Sequence, residues 1–359
     1  MTKATTPKTT RRDVLLGASA LTTATVLMPS LAGAAPPEPT AITPELIAAA
    51  TKEGKVVWYT AVDVNVAESL SKKFQEKYPG IAVKVERSGG ERIFQRVGQE
   101  TSSKIYAVDV LHSSDAAHFI VWKREGLLAP FVSEDMAKHF PAEHKDPDGM
   151  FASWRIYLST IAYNTNLVKA EDAPKSYADL LDPKWVGKMV KSHPGYSGST
   201  MTATHQLSRD LGWEYLEKLS KMKIMQVQSA SDPPKKLALG ERAVMVDGVD
   251  YLIYLLKDKG QPVEIVHATE GTPLVVGPSA LAKNAPNPNA GKLFHAWSFT
   301  AEAQQLNVDL GGLYSAHSQV KDRPGRKALK DIKTLKEDPV AVEKLADEIK
   351  EKYAKYFKV

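Results

Sequence analysis

Residues 55–85, KVVWYTAVDVNVAESLSKKFQEKYPGIAVKV, constrain the fold more than any other stretch. Val56, Val57, Trp58 and Tyr59 make an apolar run of strand length. Val66, Leu70 and Phe74 then fall at helical spacing. Pro79-Gly80 ends that helix, and Ile81, Val83 and Val85 alternate as a second strand. Strand, helix, strand predicts an α/β fold with parallel pairing. In open α/β sheets, ligands sit beyond the carboxyl ends of strands, beside helix N-termini. Thr60 and Asp63, between the first strand and the helix, are therefore candidate site residues.

The same pattern recurs along the chain. Ser88-Gly89-Gly90-Glu91 follows the second strand; its Ser-x-x-Glu spacing predicts a capping box, and its glycines allow close backbone approach. The next strand, Ala107 to Leu111, leads into His112-Ser113-Ser114-Asp115. Residues 154–163 form a long β-prone run able to cross between lobes, and residues 274–281 read as a return crossing. Residues 188–191 lead into a hydroxyl-rich loop containing Ser197, Gly198, Ser199 and Thr200, where a helix start could cradle an anion. Asp247, Asp250 and Tyr251 follow another strand, and Gly311-Gly312 marks a turn that could reach the cleft. Beyond residue 327 the chain is charged and helical, with Val342, Leu345, Ile349, Tyr353 and Tyr356 on one face.

Several chemistries are absent from this pattern. The chain has no cysteine, which excludes disulfides, thiolate metal sites, a cysteine nucleophile and a lipid-modified cysteine. His112 and His118 lack any standard metal spacing. Gly195-Tyr196-Ser197-Gly198-Ser199 misses the last glycine of a nucleophile elbow, so a hydrolase is only a remote alternative. There is no phosphate loop and no dinucleotide fingerprint. Repeated Ser, Thr, Gly and Asp at strand ends suit holding a small polar ligand without turning it over.

Residues 1–34 read as a twin-arginine export signal. Arg11-Arg12 precede a mild apolar stretch, and Ala32-Gly33-Ala34 supplies a cleavage site. That segment holds four basic residues and one acid, so its removal lowers the formal charge from +5 to about +2, no mandate for nucleic acid. Roughly 325 mature residues exceed one comfortable core and predict two lobes. The expected destination is the periplasm.

The chain resembles periplasmic solute-binding proteins of ABC importers, of the ferric-iron type with the class II, transferrin-like fold. The resemblance rests on Val56-Val57-Trp58-Tyr59-Thr60, Ala107-Val108-Asp109-Val110, Glu125-Gly126-Leu127-Leu128-Ala129-Pro130-Phe131, Ile161-Ala162-Tyr163-Asn164-Thr165-Asn166-Leu167, Leu180-Leu181-Asp182-Pro183-Lys184-Trp185-Val186-Gly187-Lys188 and Gly240-Glu241-Arg242-Ala243-Val244. It implies two α/β lobes joined by two crossover strands. Lobe 1 would take 40–156 plus 275–359, and lobe 2 would take 157–274. It also implies a monomeric, non-enzymatic receptor that closes on its ligand and docks on an inner-membrane ABC permease.

Iron-binding relatives supply a histidine, a glutamate and a Tyr-Tyr pair. Here Asp63 falls at the histidine place, Ser114 beside Asp115 at the glutamate place, and Asp250-Tyr251 at the tyrosine pair. Three ligands stay open. Ferric iron with a synergistic anion would use Asp63, Asp250 and Tyr251 as metal ligands. An organic oxyanion such as a phosphonate or sugar phosphate would use the hydroxyl and glycine loops, with Arg92 or Arg155 offsetting the acids. An organic cation would favour the carboxylates.

Overall fold

A computed structural model describes Met1 and residues 36–359. The export-signal reading of 1–34 lies outside the described residues, apart from Met1. Residues 36–359 belong to one compact unit. It opens with α1 (Pro44–Glu53), β1 (Lys55–Thr60), α2 (Val64–Lys77), β2 (Ala82–Arg87) and α3 (Gly90–Ser102). Next come β3 (Val110–His112), α4 (Ala116–Arg124), β4 (Leu128–Ala129), α5 (Glu134–His139), β5 (Ala152–Leu158) and β6 (Ile161–Asn164). The middle holds β7 (Met189–Ser192), α6 (Gly198–Leu211), α7 (Trp213–Ser220), β8 (Met225–Val227), α8 (Asp232–Ala238), β9 (Val244–Asp247), α9 (Asp250–Asp258) and β10 (Val263–Val266). The chain closes with β11 (Thr272–Ala282), α10 (Pro288–Ser298), α11 (Ala301–Asp309), β12 (Thr334–Leu335) and α12 (Pro339–Phe357).

Two sheets organise these elements into the two-lobed α/β fold. The first runs β12-β11-β3-β1-β2, with β4 and β5 also paired to β11; the second runs β10-β6-β9-β7-β8. Within the first, β1 lies parallel to β2 and β3, while β11 runs antiparallel to β3 and β5. Only Ser159 and Thr160 separate β5 of one sheet from β6 of the other, so this is the outgoing crossing. The return lies in the short link between β10 and β11. Both joining residues are pinned: the Ser159 amide donates to the Pro273 carbonyl at 2.9 Å and the Thr160 amide to Gly248 at 2.9 Å.

Each lobe has its own core, as two hydrophobic layers on a sheet require. Trp58, Phe74, Trp154, Phe294 and Trp297 cluster under the first sheet. Tyr177, Trp185, Leu216 and Leu219 cluster under the second. Asp109 is fully buried without a charge partner. Its carboxylate instead accepts the amides of Val57 (2.7 Å) and Asn287 (2.7 Å), tying β1 to the start of α10.

Two local expectations change in the structure. Ser88 does not cap α3: Gly89 is the N-cap, without a side-chain bond, and Glu91 turns inward to His118 and Lys350. The charged C-terminal region begins with a single turn and β12, and α12 starts at Pro339. Val342, Ile349 and Tyr353 of α12 are buried as the periodicity required, while Leu345 is exposed. The helix bridges both halves. Arg124 of α4 pairs with Glu343 at 3.0 Å, and Tyr353 donates to Gln226 Oε1 of β8 at 2.7 Å.

Candidate functional site

The carboxyl ends of β1, β2, β7, β8 and β9 converge where the two sheets face each other. Arg155 lies at the base of the space between them. It sits on β5 opposite Gly277 of β11. A side chain at 277 would press within 2.8 Å of its Nε, so the glycine clears the path for the guanidinium. Arg155 is 1% exposed, and its Nε and Nη1 have no hydrogen-bond partner among the described residues. Its guanidinium stands near the ring faces of Tyr157, 4.7 Å away, and Tyr251, 6.0 Å away. Burial and then the Arg155 charge hold the neighbouring His112 well below its ordinary pKa, so that imidazole stays neutral.

A small cavity opens on this arginine. The first lobe contributes Arg87, Gly89, Gly90 and Ser114 to its wall; the second contributes Ser197, Ser199, Ser229, Ser231 and Tyr251. The N-terminal ends of α3 and α6 meet here, so backbone N–H groups and positive helix ends face the space, whereas α8 opens with Pro233-Pro234 and offers none. Gly89, the N-cap of α3, carries no side chain that could occupy those donors. Hydroxyls cross the cleft: Tyr157 Oη and Ser199 Oγ lie 2.6 Å apart, and Arg87 Nη2 donates to Ser229 Oγ at 3.0 Å. The lobes are in contact. A Cβ on Gly89 would collide with the carbonyl oxygen of Tyr196. Its free volume is about 10 Å³, room for about one water, so a larger ligand enters only when the lobes part.

The acids predicted to line this site are already committed. Asp63 caps α2 through the Asn65 amide (3.1 Å) and bridges the cleft to Lys235 of α8 (3.0 Å). Asp250 accepts the Leu158 amide (3.0 Å) and pairs with Arg326 (2.5 Å). Asp247 is fully buried against Lys191. Tyr251 lines the cavity, but its hydroxyl accepts the Asp63 amide at 3.3 Å. Of the expected metal set of Asp63, Asp250 and Tyr251, each carboxylate already carries a cation, Lys235 or Arg326. Asp115 caps α4 through the Ala117 amide and lies behind the wall, its pKa pushed up to about 6 by burial and, among charges, by Glu91.

The other predicted residues divide cleanly. Gly89, Gly90, Ser114, Ser197 and Ser199 line the cavity, and Ser88 lies just outside it. Gly198 packs against Asp115 and Ser114, where a Cβ would fall 2.7 Å from the Asp115 Cβ. Thr60 is buried behind the wall on His112 Nδ1 (2.7 Å), Thr200 on Ser192, and Ser113 on His118 Nδ1 (2.8 Å). The Gly311-Gly312 turn does not reach the cavity; the Gly312 carbonyl takes a bond from Arg326.

Glu91, Asp115 and His118 are the one group of described residues whose donor atoms lie close enough to share an ion. Their bonds are used internally. Both His118 nitrogens are engaged, by Ser113 and by Glu91, and Lys350 of α12 takes the second Glu91 oxygen at 2.9 Å. Burial alone would raise the Glu91 pKa, but the His118 and Lys350 charges overcome it and hold it at about 2.

Sequence reading missed Arg87 and the segment Ser229-Ala230-Ser231. Arg87 ends β2 and Ser229 lies two residues past β8, so the strand-end rule that found Ser114 would have found both.

A family profile described as bacterial extracellular solute-binding protein matches residues 69–337, and the chain belongs to that family. The protein is accordingly a solute-binding receptor that serves an ABC permease; members of the family bind solutes rather than transform them. A Haemophilus influenzae protein is 26% identical over 273 residues, spanning 72% of this chain and 76% of its own length. A Salmonella typhimurium periplasmic protein, provisionally assigned to 2-aminoethylphosphonate binding, is 35% identical over 150 residues, 40% of this chain and 41% of its own length. Among solved structures, AfuA of Actinobacillus pleuropneumoniae with bound fructose-6-phosphate superposes with a TM-score of 0.78 at 22% identity, covering 85% of this chain and 99% of that one. Iron-bound HitA of Pseudomonas aeruginosa superposes at 0.72 with 23% identity, covering 84% and 99%. At these identities the two structures establish the shared fold. No helix among the described residues is long and apolar enough to cross a membrane.

Proposed function

We propose that this receptor carries a small organic phosphate or phosphonate, bound by its tetrahedral dianionic group in the Arg155 cavity. The supporting observation is Arg155 itself. A buried guanidinium with two unpartnered N–H groups is unfavourable unless an anion arrives to pair with it. Arg87, the serine hydroxyls and the N-termini of α3 and α6 add donors around the same point. Iron needs anionic oxygen donors, and the nearby carboxylates are neutralised by Lys235 and Arg326. An organic cation would meet two arginines. The Salmonella relative and AfuA share only the phosphoryl chemistry in their reported ligands, which fits this reading.

The lobes divide as 40–156 plus 275–359 against 157–274; the two sheets support this division except at the end of β5 and the first residues of β11, which cross its bounds. Export by the twin-arginine route, cleavage near Ala34 and a monomeric receptor in the periplasm complete the proposal. Thermal-shift and calorimetric titration of the mature protein should show binding of organic phosphates or phosphonates, and none of ferric citrate or putrescine. Arg155→Met removes two charge-assisted hydrogen bonds and should weaken binding about 100-fold or more. An iron-dependent shift with no response to any phosphoryl compound would overturn the assignment.

A further inference from the structure

A second pocket of about 240 Å³ lies beside the phosphoryl cavity and shares Arg87, Gly89 and Ser229 as a common wall. Arg92, Tyr196, Gln228 and Asp232 line this second chamber, and no aliphatic side chain does. Resting on the phosphoryl reading, we infer that the second chamber is the subsite for the rest of the ligand and that it selects a polyhydroxylated tail of about one sugar ring.

The chemistry of its walls carries the inference. Asp232 uses one carboxylate oxygen to accept the Ser229 amide at 3.1 Å, which leaves the other as an acceptor facing the chamber. Gln228 gives its carbonyl oxygen to Arg92 Nη2 at 2.6 Å, so its amide N–H₂ is the free end. Arg92 lies over the Tyr196 ring at 5.2 Å, and Tyr196 is 40% exposed. The chamber thus presents donors from Arg92, Gln228 and Tyr196 beside an acceptor from Asp232. A hydroxyl both donates and accepts and carries no charge, so neighbouring hydroxyls satisfy this mixture. An alkyl tail would leave the polar groups unpaired. An ammonium tail would gain one carboxylate but face Arg87 and Arg92, and the aromatic face it could use is already covered by a cation. A second acid on the tail would face Asp232 as well as Arg87 and Arg92, and both arginines already donate elsewhere, to Ser229 and Gln228. The volume is about eight times one water's share of liquid, ample for a ring with its hydroxyls.

The wall is shared between lobes, since Arg92 opens α3 and Gln228 precedes α8. A tail that bonds both sides would add to closure, so this chamber would set selectivity through the closed state.

Calorimetry on the mature protein should compare fructose-6-phosphate, 2-aminoethylphosphonate, 3-phosphoglycerate and inorganic phosphate. The hexose phosphate should bind at least tenfold more tightly than the other three. Asp232→Asn should weaken it about tenfold, the loss of one charged hydrogen bond, while leaving inorganic phosphate unchanged. Equal or tighter binding of the aminophosphonate or the phosphoglycerate would overturn the polyol assignment. So would an Asp232→Asn loss that is the same for inorganic phosphate, because the residue would then act on the inner cavity. Binding of inorganic phosphate with no preference for the hexose ester sinks this inference alone; silence toward every phosphoryl compound sinks the phosphoryl reading beneath it.

Discussion

Arg155 and Arg326 are both buried arginines close to the cleft, and the protein treats them in opposite ways. Arg326 pairs with Asp250 at 2.5 Å, donates to the Gly312 carbonyl and covers the Tyr314 ring at 3.4 Å. Arg155 has aromatic faces nearby but no acid bonded to it, and two of its nitrogens lack partners. One arginine completes a structural knot that joins α9 to the link between α11 and α12. The other holds its charge in reserve beside a cavity. The contrast shows that burial of a charge does not define a function; the state of its hydrogen bonds does.

The largest expected effect would break this contrast. Arg326→Met leaves Asp250 buried and unpaired, which should destabilise the fold by about 3–5 kcal/mol in chemical denaturation. Arg155→Met should leave stability unchanged or raise it slightly, because it removes an uncompensated buried charge. If the two variants lose stability equally, Arg155 is structural and the contrast fails.

A smaller effect concerns the Glu91–His118–Lys350 network. Glu91 is held at about 2, below its unfolded value, so its contribution is fully present above pH 4.5 and is lost as pH falls toward 2. His118 is raised by the same pair against its own burial, so its contribution is present below pH 6.5 and fades as pH rises through its folded value. Glu91→Gln should therefore lower the melting temperature most near pH 5–6, where both groups are charged, and the difference should vanish near pH 2. A deficit independent of pH would show that packing rather than charge holds α3 to α12.

The smallest effect belongs to the cleft-spanning pair. Lys235 is 48% exposed and solvent screens it, so its bond to Asp63 should contribute about 0–1 kcal/mol to the closed state. Lys235→Ala should raise the open fraction of the unliganded protein in small-angle scattering and weaken ligand binding by no more than about fivefold. A larger loss would place Lys235 on the ligand itself.

Much of the fold was legible from periodicity. The run of 55–60, the helix through Phe74 and the crossing between 154 and 163 all appear where the pattern put them, because alternation and helical spacing are local properties. The strand-end rule also located Gly89, Gly90, Ser114, Ser197 and Ser199 at the cavity. It failed at Asp63, Asp247 and Asp250. Each of those acids sits at a strand end as expected, but its partner is distant in the chain: Lys235, Lys191 or Arg326. A pairing across 56 to 172 residues leaves no trace in spacing.

The sequence by itself determined the βαβ units, their order and the polar residues at their carboxyl ends, since each follows from the geometry of a short segment. Tertiary structure alone decided which charges remain available. Folding brought a lysine or arginine onto Asp63, Asp247 and Asp250 and left Arg155 facing donors with no acid of its own. The proposed ligand class rests on that residual charge, and residual charge is a property of contacts between remote segments, not of any one of them.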